Sequence, residues 1–181
     1  HDIAEMSSDF LGYFPNIEMN TVPHIALVEF IEKAIIETGA THVYTHHPFD
    51  LNDDHKQVSN ACQVAVRLFQ RRHDIVPLEG FYYVEIPSST DWSFNTGSSA
   101  FSPTGFFEIG EEGVKRKIQA LSAYKDVMRD YPHPRSEEAL YSLAVLRGAQ
   151  SGMKYAEAVQ VVFEKLKEWT ACIKSLEKGC L

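Results

Sequence analysis

The run His42-Val43-Tyr44-Thr45-His46-His47-Pro48-Phe49-Asp50-Leu51-Asn52-Asp53-Asp54-His55 decides how the chain is read. Its first five residues mix β-branched and aromatic side chains and predict a buried strand over 42–46. His47-Pro48 breaks that strand. The loop 49–53 feeds a helix, and Asp54 with Gln57 three residues later has the form of a capping box. Val58, Ala61, Cys62, Ala65, Val66 and Phe69 then line one face of the helix, which Arg71-Arg72 closes. Strand, polar loop and helix N-terminus in that order make one βα unit of an open α/β sheet. Such sheets place their ligands at the carboxyl ends of the strands.

The flanking sequence agrees. Upstream, Asn20, Thr21 and Pro23 signal a helix start. Ile25, Leu27, Val28, Ile31, Ala34 and Ile35 form its apolar stripe, and Gly39 ends it. Downstream, Phe81 to Ile86 predicts a second strand, halted by Pro87. Ser88 to Pro103 is a long Ser/Thr/Gly/Asn-rich loop that contains Asp91-Trp92, and loops of this length in a compact domain are often functional. Phe106 to Ile109 makes a third strand, and a helix runs from Glu111 to about Met128 with Val114, Ile118 and Leu121 inward. The turn Tyr131-Pro132-His133-Pro134-Arg135-Ser136 is stiffened by its prolines, and Ser136 can cap a further helix through Leu146. Val159 to Phe163 is the last strand, and 164–178 reads as an amphipathic tail helix. The alternation predicts an α/β fold with a mostly parallel sheet flanked by helices. One domain over 1–163 and a helical tail over 164–181 is the simplest division.

Composition narrows the function. The chain has 181 residues, 44% of them hydrophobic, enough for one real core. Acidic residues outnumber basic ones 25 to 17, for a formal charge of −8. That balance argues against nucleic acid as the main partner, which needs a basic face. No apolar run reaches the ~18 residues of a membrane span. Cys62, Cys172 and Cys180 show no CxxC spacing, and their odd number argues against a disulfide scaffold. A reducing compartment, the cytoplasm, is the expectation. The first ten residues are polar and acidic, unlike a signal peptide. They open without methionine and read like the inside of a helix, so an N-terminal truncation is expected as well.

The chemistry concentrates in 45–55, where three histidines and three aspartates crowd a strand end. Imidazole and carboxylate are suitable ligands for a divalent metal such as zinc. His55, in the first helical turn, can turn its ring back into the crevice, and Asp53 or Asp54 can hold the other nitrogen of a neighbouring histidine. On spacing alone a plainer reading stands beside this one and is favoured, because no spaced zinc signature is complete. In it the aspartates cap the helix and the histidines are polar loop residues. Elsewhere, His133 and Arg135 could serve as proton donor and anion binder, or merely shape a surface turn. Trp92 could stack on a sugar face or plug a core edge. Arg147 and Glu157 suggest a structural ion pair. GxSxG, Walker A and GxGxxG motifs are all missing.

Taken in order, several stretches resemble the LmbE-like, or PIG-L-type, N-deacetylase family. They are Phe14-Pro15-Asn16, the run Thr45 to His55, Phe101-Ser102-Pro103 to Ile109, the helix around Lys117 to Leu121, and Arg147-Gly148 to Ala158. Together they span roughly 14–162, and the Asp-Leu-Asn-x-Asp-His run is the most specific of them. The resemblance implies a Rossmann-like fold and zinc-assisted hydrolysis of the acetamide of an N-acetylglucosamine-type sugar or glycoconjugate. In such chemistry zinc polarises the amide and acidifies water, a carboxylate takes a proton, and a donor steadies the oxyanion. It implies His55 as a metal ligand, Asn52 at the oxyanion position where the family often has histidine, and Asp54 as the supporting carboxylate. His133 joins them as a catalytic contact, with Asp50, Trp92 and Arg135 on the substrate.

The family's first motif, Ala-His-Pro-Asp-Asp-Glu, supplies two metal ligands and the base, and it is absent here. The expectation is therefore an incomplete zinc site, impaired activity and a sheet lacking its first strands. The alternatives are a non-catalytic relative that binds a glycan or partner, and a site completed by another chain. The tail can either cap the domain or serve self-association into an oligomer.

Overall fold

The structure, a computed structural model, describes residues 9–166. The tail helix expected beyond Leu166 falls outside these residues, and Glu164 itself closes a strand.

Helix α1 (His24–Thr38) is closed by Gly39 at φ +63°, a left-handed position where glycine carries no Cβ penalty. Strand β1 (His42–His46) leads through the 47–52 loop into α2 (Asp53–Ala65). The expected single helix to Arg72 is divided. Arg67 N–H bonds to Val64 O, an i−3 tightening that ends α2 before the short α3 (Leu68–Arg71). Strand β2 (Gly80–Val84), β3 (Gly105–Glu108), α4 (Gly110–Ser122), α5 (Glu137–Ser151) and β4 (Ala156–Glu164) follow. Helix α4 stops short of Met128 because the chain turns at Tyr124 and Asp126 takes a positive φ of 59°. Ser136 caps α5 as expected, its Oγ accepting from Ala139 N–H at 3.1 Å, and α5 runs one turn past Leu146.

The sheet order is β1-β2-β4-β3. β1 and β2 pair in parallel, while β4 lies antiparallel to both β2 and β3. Three of the four strands therefore run one way, with β4 inserted against them. The reason is connectivity: two helices, α4 and α5, separate β3 from β4, so the chain re-enters the sheet from the opposite end. The fold is a mixed α/β sheet flanked by helices. Its described edges are β1 and β3.

The core sits between α1, α2 and the sheet. Leu27, Val28 and Ile35 meet Ala61, Cys62, Ala65 and Val66, and these pack on Leu78, Phe81 and Tyr83. Burial of this stripe, at roughly 25 cal/mol per Å² of apolar surface, fixes α2 across the end of β1. On the other side, α5 approaches the turn before β4 so closely that a Cβ on Gly148 would lie 2.6 Å from Met153 O. Among the described residues, no helix is long and apolar enough to cross a membrane.

Candidate functional site

Asp50 is the centre of the strand-end cluster, and it is 0% exposed. Four donors converge on its carboxylate. Ser89 Oγ and Asn52 N–H serve Oδ1, Thr90 Oγ1 serves Oδ2 at 2.9 Å, and His55 Nδ1 lies 3.2 Å from Oδ1. Burial alone would raise this carboxyl, but the bonds from His55, Ser89, Asn52 and Thr90 outweigh it and bring the pKa down to about 2. This corrects the expectation that Asp50 contacts substrate. Its oxygens are inside the protein and engaged.

His55 stands in the first turn of α2, where Asn52 caps the helix by accepting Asp54 N–H at 2.9 Å. Its ring stacks on His46 at 3.9 Å and 14° and keeps a fifth of its side chain open. With the Nδ1 proton directed at Asp50, neutral His55 has its Nε2 lone pair left for a cation or a proton. His46 is half-buried, its enclosed Nδ1 without a hydrogen-bond partner among the described residues, and burial with the nearby His55 pushes its pKa down to about 4 against the opposing pull of Asp50. His47 is 2% exposed between the edges of Tyr83 and Phe101, and burial lowers its pKa too. It is a core histidine.

Asp54 is also buried, but its carboxylate accepts the backbone N–H groups of Ile17 and Met19, at 2.6 and 3.0 Å. These hydrogen bonds make it a positioning residue that ties the lead-in segment to the start of α2. The Asn52 side-chain oxygen is taken up by the cap, and its amide N–H₂ remains as a donor.

The loop after β2 joins this cluster to the second group of expected residues. Ser89 O accepts Leu51 N–H, and Asn95 Nδ2 donates to Phe49 O. Two residues beyond Thr90, Trp92 meets the His133 ring edge-on at 5.1 Å and stays 42% exposed. It is neither a core plug nor isolated. His133 Nδ1 accepts Arg135 N–H at 3.1 Å, which places the proton of the neutral ring on Nε2. Arg135 Nε is buried with no hydrogen-bond partner among the described residues. Polar contacts thus run from His55 through Asp50 to Thr90, and two residues further along the chain Trp92 meets His133, whose ring takes the Arg135 N–H. Arg147 does not pair with Glu157. It forms a bidentate pair with Glu85, at 2.7 and 2.5 Å, while Glu157 takes Lys117.

Sequence reasoning missed Ser89 and Thr90. A Ser/Thr-rich loop is too common a pattern to single out the two hydroxyls that reach a carboxylate 39 and 40 residues away.

Among the described residues, no three His, Cys, Asp or Glu side chains converge to hold a metal ion. His55 does fit one coordination position, because an imidazole backed by a carboxylate is the usual outer-shell arrangement of a metal-bound histidine. His46 does not add a second. The in-plane lone pairs of two parallel rings 3.9 Å apart do not meet at an ion ~2.0–2.1 Å from both.

No family model matches the chain, and no curated protein matches it. Several solved structures are similar to it, and two of them illustrate the likeness. One is the conserved protein TT1542 from Thermus thermophilus, 21% identical, with a TM-score of 0.59 over 86% of this chain and 66% of that one. The other is the N,N'-diacetylchitobiose deacetylase from Pyrococcus horikoshii in complex with its inhibitor MPG. It is 13% identical, with a TM-score of 0.60 over 88% of this chain and 60% of that one. The fold is shared with that deacetylase. The chain spans less than two thirds of either neighbour.

Proposed function

We propose that this chain carries part of the active site of an amide hydrolase that removes an acetyl group from an N-acetylglucosamine-type sugar or glycoconjugate. The single observation that carries the reading is the His55–Asp50 couple at the carboxyl end of β1, the ligand position of open α/β sheets. The resemblance of the Asp-Leu-Asn-x-Asp-His run, and the fold shared with a diacetylchitobiose deacetylase, support it.

In this reading His55 presents Nε2 to a zinc ion, and the buried Asp50 holds the ring in its Nδ1–H tautomer. When bound, zinc supplies polarisation of the amide carbonyl and a more acidic water. Asn52 offers its amide N–H₂ to developing oxyanion charge. His133, with its proton on Nε2, donates toward the leaving nitrogen. Trp92 offers an aromatic face to the sugar ring, and Arg135 holds an anionic or polar substituent. Asp54 positions the helix turn. A catalytic zinc has three protein ligands, so His55 alone makes a weak site, and the chain is expected to retain zinc poorly and turn over slowly.

The test is amine release from N-acetylglucosamine and N,N'-diacetylchitobiose with zinc or chelator present, alongside metal analysis. The expected result is slow, zinc-dependent release abolished by His55→Ala. Tight stoichiometric zinc that survives His55→Ala would overturn the reading. The shortage of convergent ligands among the described residues favours a second reading, a glycan- or partner-binding relative without turnover. Sugar binding with no amine released at any zinc concentration selects it.

A further inference from the structure

Beside the site lies a cavity of about 450 Å³ between the segment after β2 and helix α5. We propose that it binds an uncharged apolar substituent, alkyl or aryl, carried by the N-acylated amino sugar handled at His55. This rests on the reading of that site given above.

The lining sets the chemistry. Ile86, Pro87, Pro132, Pro134, Leu143 and Leu146 form the walls. Leu146 leaves half of its surface open on a helix whose opposite face buries Leu140, Ala144 and Gly148. Apolar side chains held open on a packed helix favour an apolar ligand, since covering them removes their surface from water. Three prolines fix the backbone of the walls, so little ordering is left to oppose binding.

The charges present neutralise one another or repel anions. Glu85 and Arg147 satisfy each other bidentately, and Arg147 Nη1 also reaches Gln150 at 2.9 Å. Among the described residues lining the cavity, that leaves no unpaired guanidinium to draw a phosphate or carboxylate. Asp91, also on the wall, adds a negative charge that disfavours them.

Continuity with the site decides the occupant. Thr90 both lines the cavity and donates to Asp50, the carboxylate behind His55. Pro132 and Pro134 flank His133, and Asp91 precedes Trp92. A group in the cavity therefore belongs to the same molecule as the sugar. It is either the N-acyl chain or the glycosidic substituent.

Calorimetric titration of the full chain without metal separates the two, using methyl N-acetylglucosaminide, hexyl N-acetylglucosaminide and methyl N-hexanoylglucosaminide. A fully buried methylene tightens binding about fourfold. In this half-open cavity one of the six-carbon ligands is expected to bind at least about tenfold tighter than the methyl N-acetyl compound, and which one does so identifies the end of the sugar that enters. Ser142→Trp, at the exposed rim, and Leu146→Glu should each remove that advantage. Binding of the methyl N-acetyl compound and the melting temperature should stay unchanged. Equal affinities for all three ligands, or an advantage that survives both variants, overturns the proposal. Zinc-dependent hydrolysis with no preference for a six-carbon group defeats the cavity alone. A six-carbon preference without hydrolysis defeats the catalytic reading alone.

Discussion

His55 Nδ1 lies 3.2 Å from Oδ1 of Asp50, so the imidazole at the mouth of the site is anchored on a carboxylate that water does not reach. The folded state holds that carboxyl as an anion with a pKa of about 2, against an ordinary value of 3.8. Folded Asp50 binds a proton less readily than unfolded Asp50. Its contribution to stability is therefore complete above about pH 5 and drains away as pH falls through 4 to 2, amounting to about 2 kcal/mol. Urea denaturation between pH 6 and 2 should show this loss. Asp50→Asn should destabilise the protein by about 3 kcal/mol at pH 7 and flatten that part of the profile.

Trp92 is 42% exposed, and among the described residues its one ring contact is the edge of His133, so its removal should cost binding more than folding. Trp92→Ala is expected to weaken N-acetylglucosamine about tenfold while moving the melting temperature by no more than a degree or two. Trp92→Phe should recover part of the affinity. A large fall in melting temperature with unchanged sugar affinity would assign the residue to packing.

The Glu85–Arg147 pair is mostly buried, so deleting one partner strands the other. Glu85→Leu and Arg147→Met should each destabilise by about 3 kcal/mol, and the double change Glu85→Leu, Arg147→Met by clearly less than the sum of the two. Thermal unfolding of the four proteins completes the cycle.

Ser136 is almost fully buried at the start of α5, and its hydroxyl takes one of the orphan N–H groups there. Ser136→Ala should cost about 1 kcal/mol, and Ser136→Thr less, by denaturant titration.

Much of the scaffold could be read directly. Periodicity and end signals placed α1, β1 and the Ser136 cap, because these depend on residues adjacent in the chain. The capping box expected at Asp54 and Gln57 is not what starts α2, since Asn52 is the cap and the Asp54 carboxylate is taken by the backbone of Ile17 and Met19. The direction of β4 could not be read in this way, since pairing is settled by the path of two intervening helices rather than by the strand's own residues. In the site, His55 and its carboxylate neighbours were legible as a cluster, but their division of labour was not. Asp50 and Asp54 look alike in sequence. One turns inward to His55 and two hydroxyls from a distant loop, the other toward the backbone of Ile17 and Met19. Only long-range contacts distinguish them. The same holds for Arg147, whose partner is 62 residues away.

The bonds from Ile17 and Met19 to Asp54 have a mechanical meaning. The residue that grips the polypeptide on its way into the domain immediately precedes the one that faces the crevice. Slack in the entering strap is thus transmitted to the imidazole within a single turn of helix. Asp54→Ala should speed amide hydrogen exchange at Ile17 and Met19 and broaden the His55 ring resonances together, and a ring that stays sharp while those amides exchange freely would show the two ends to be independent.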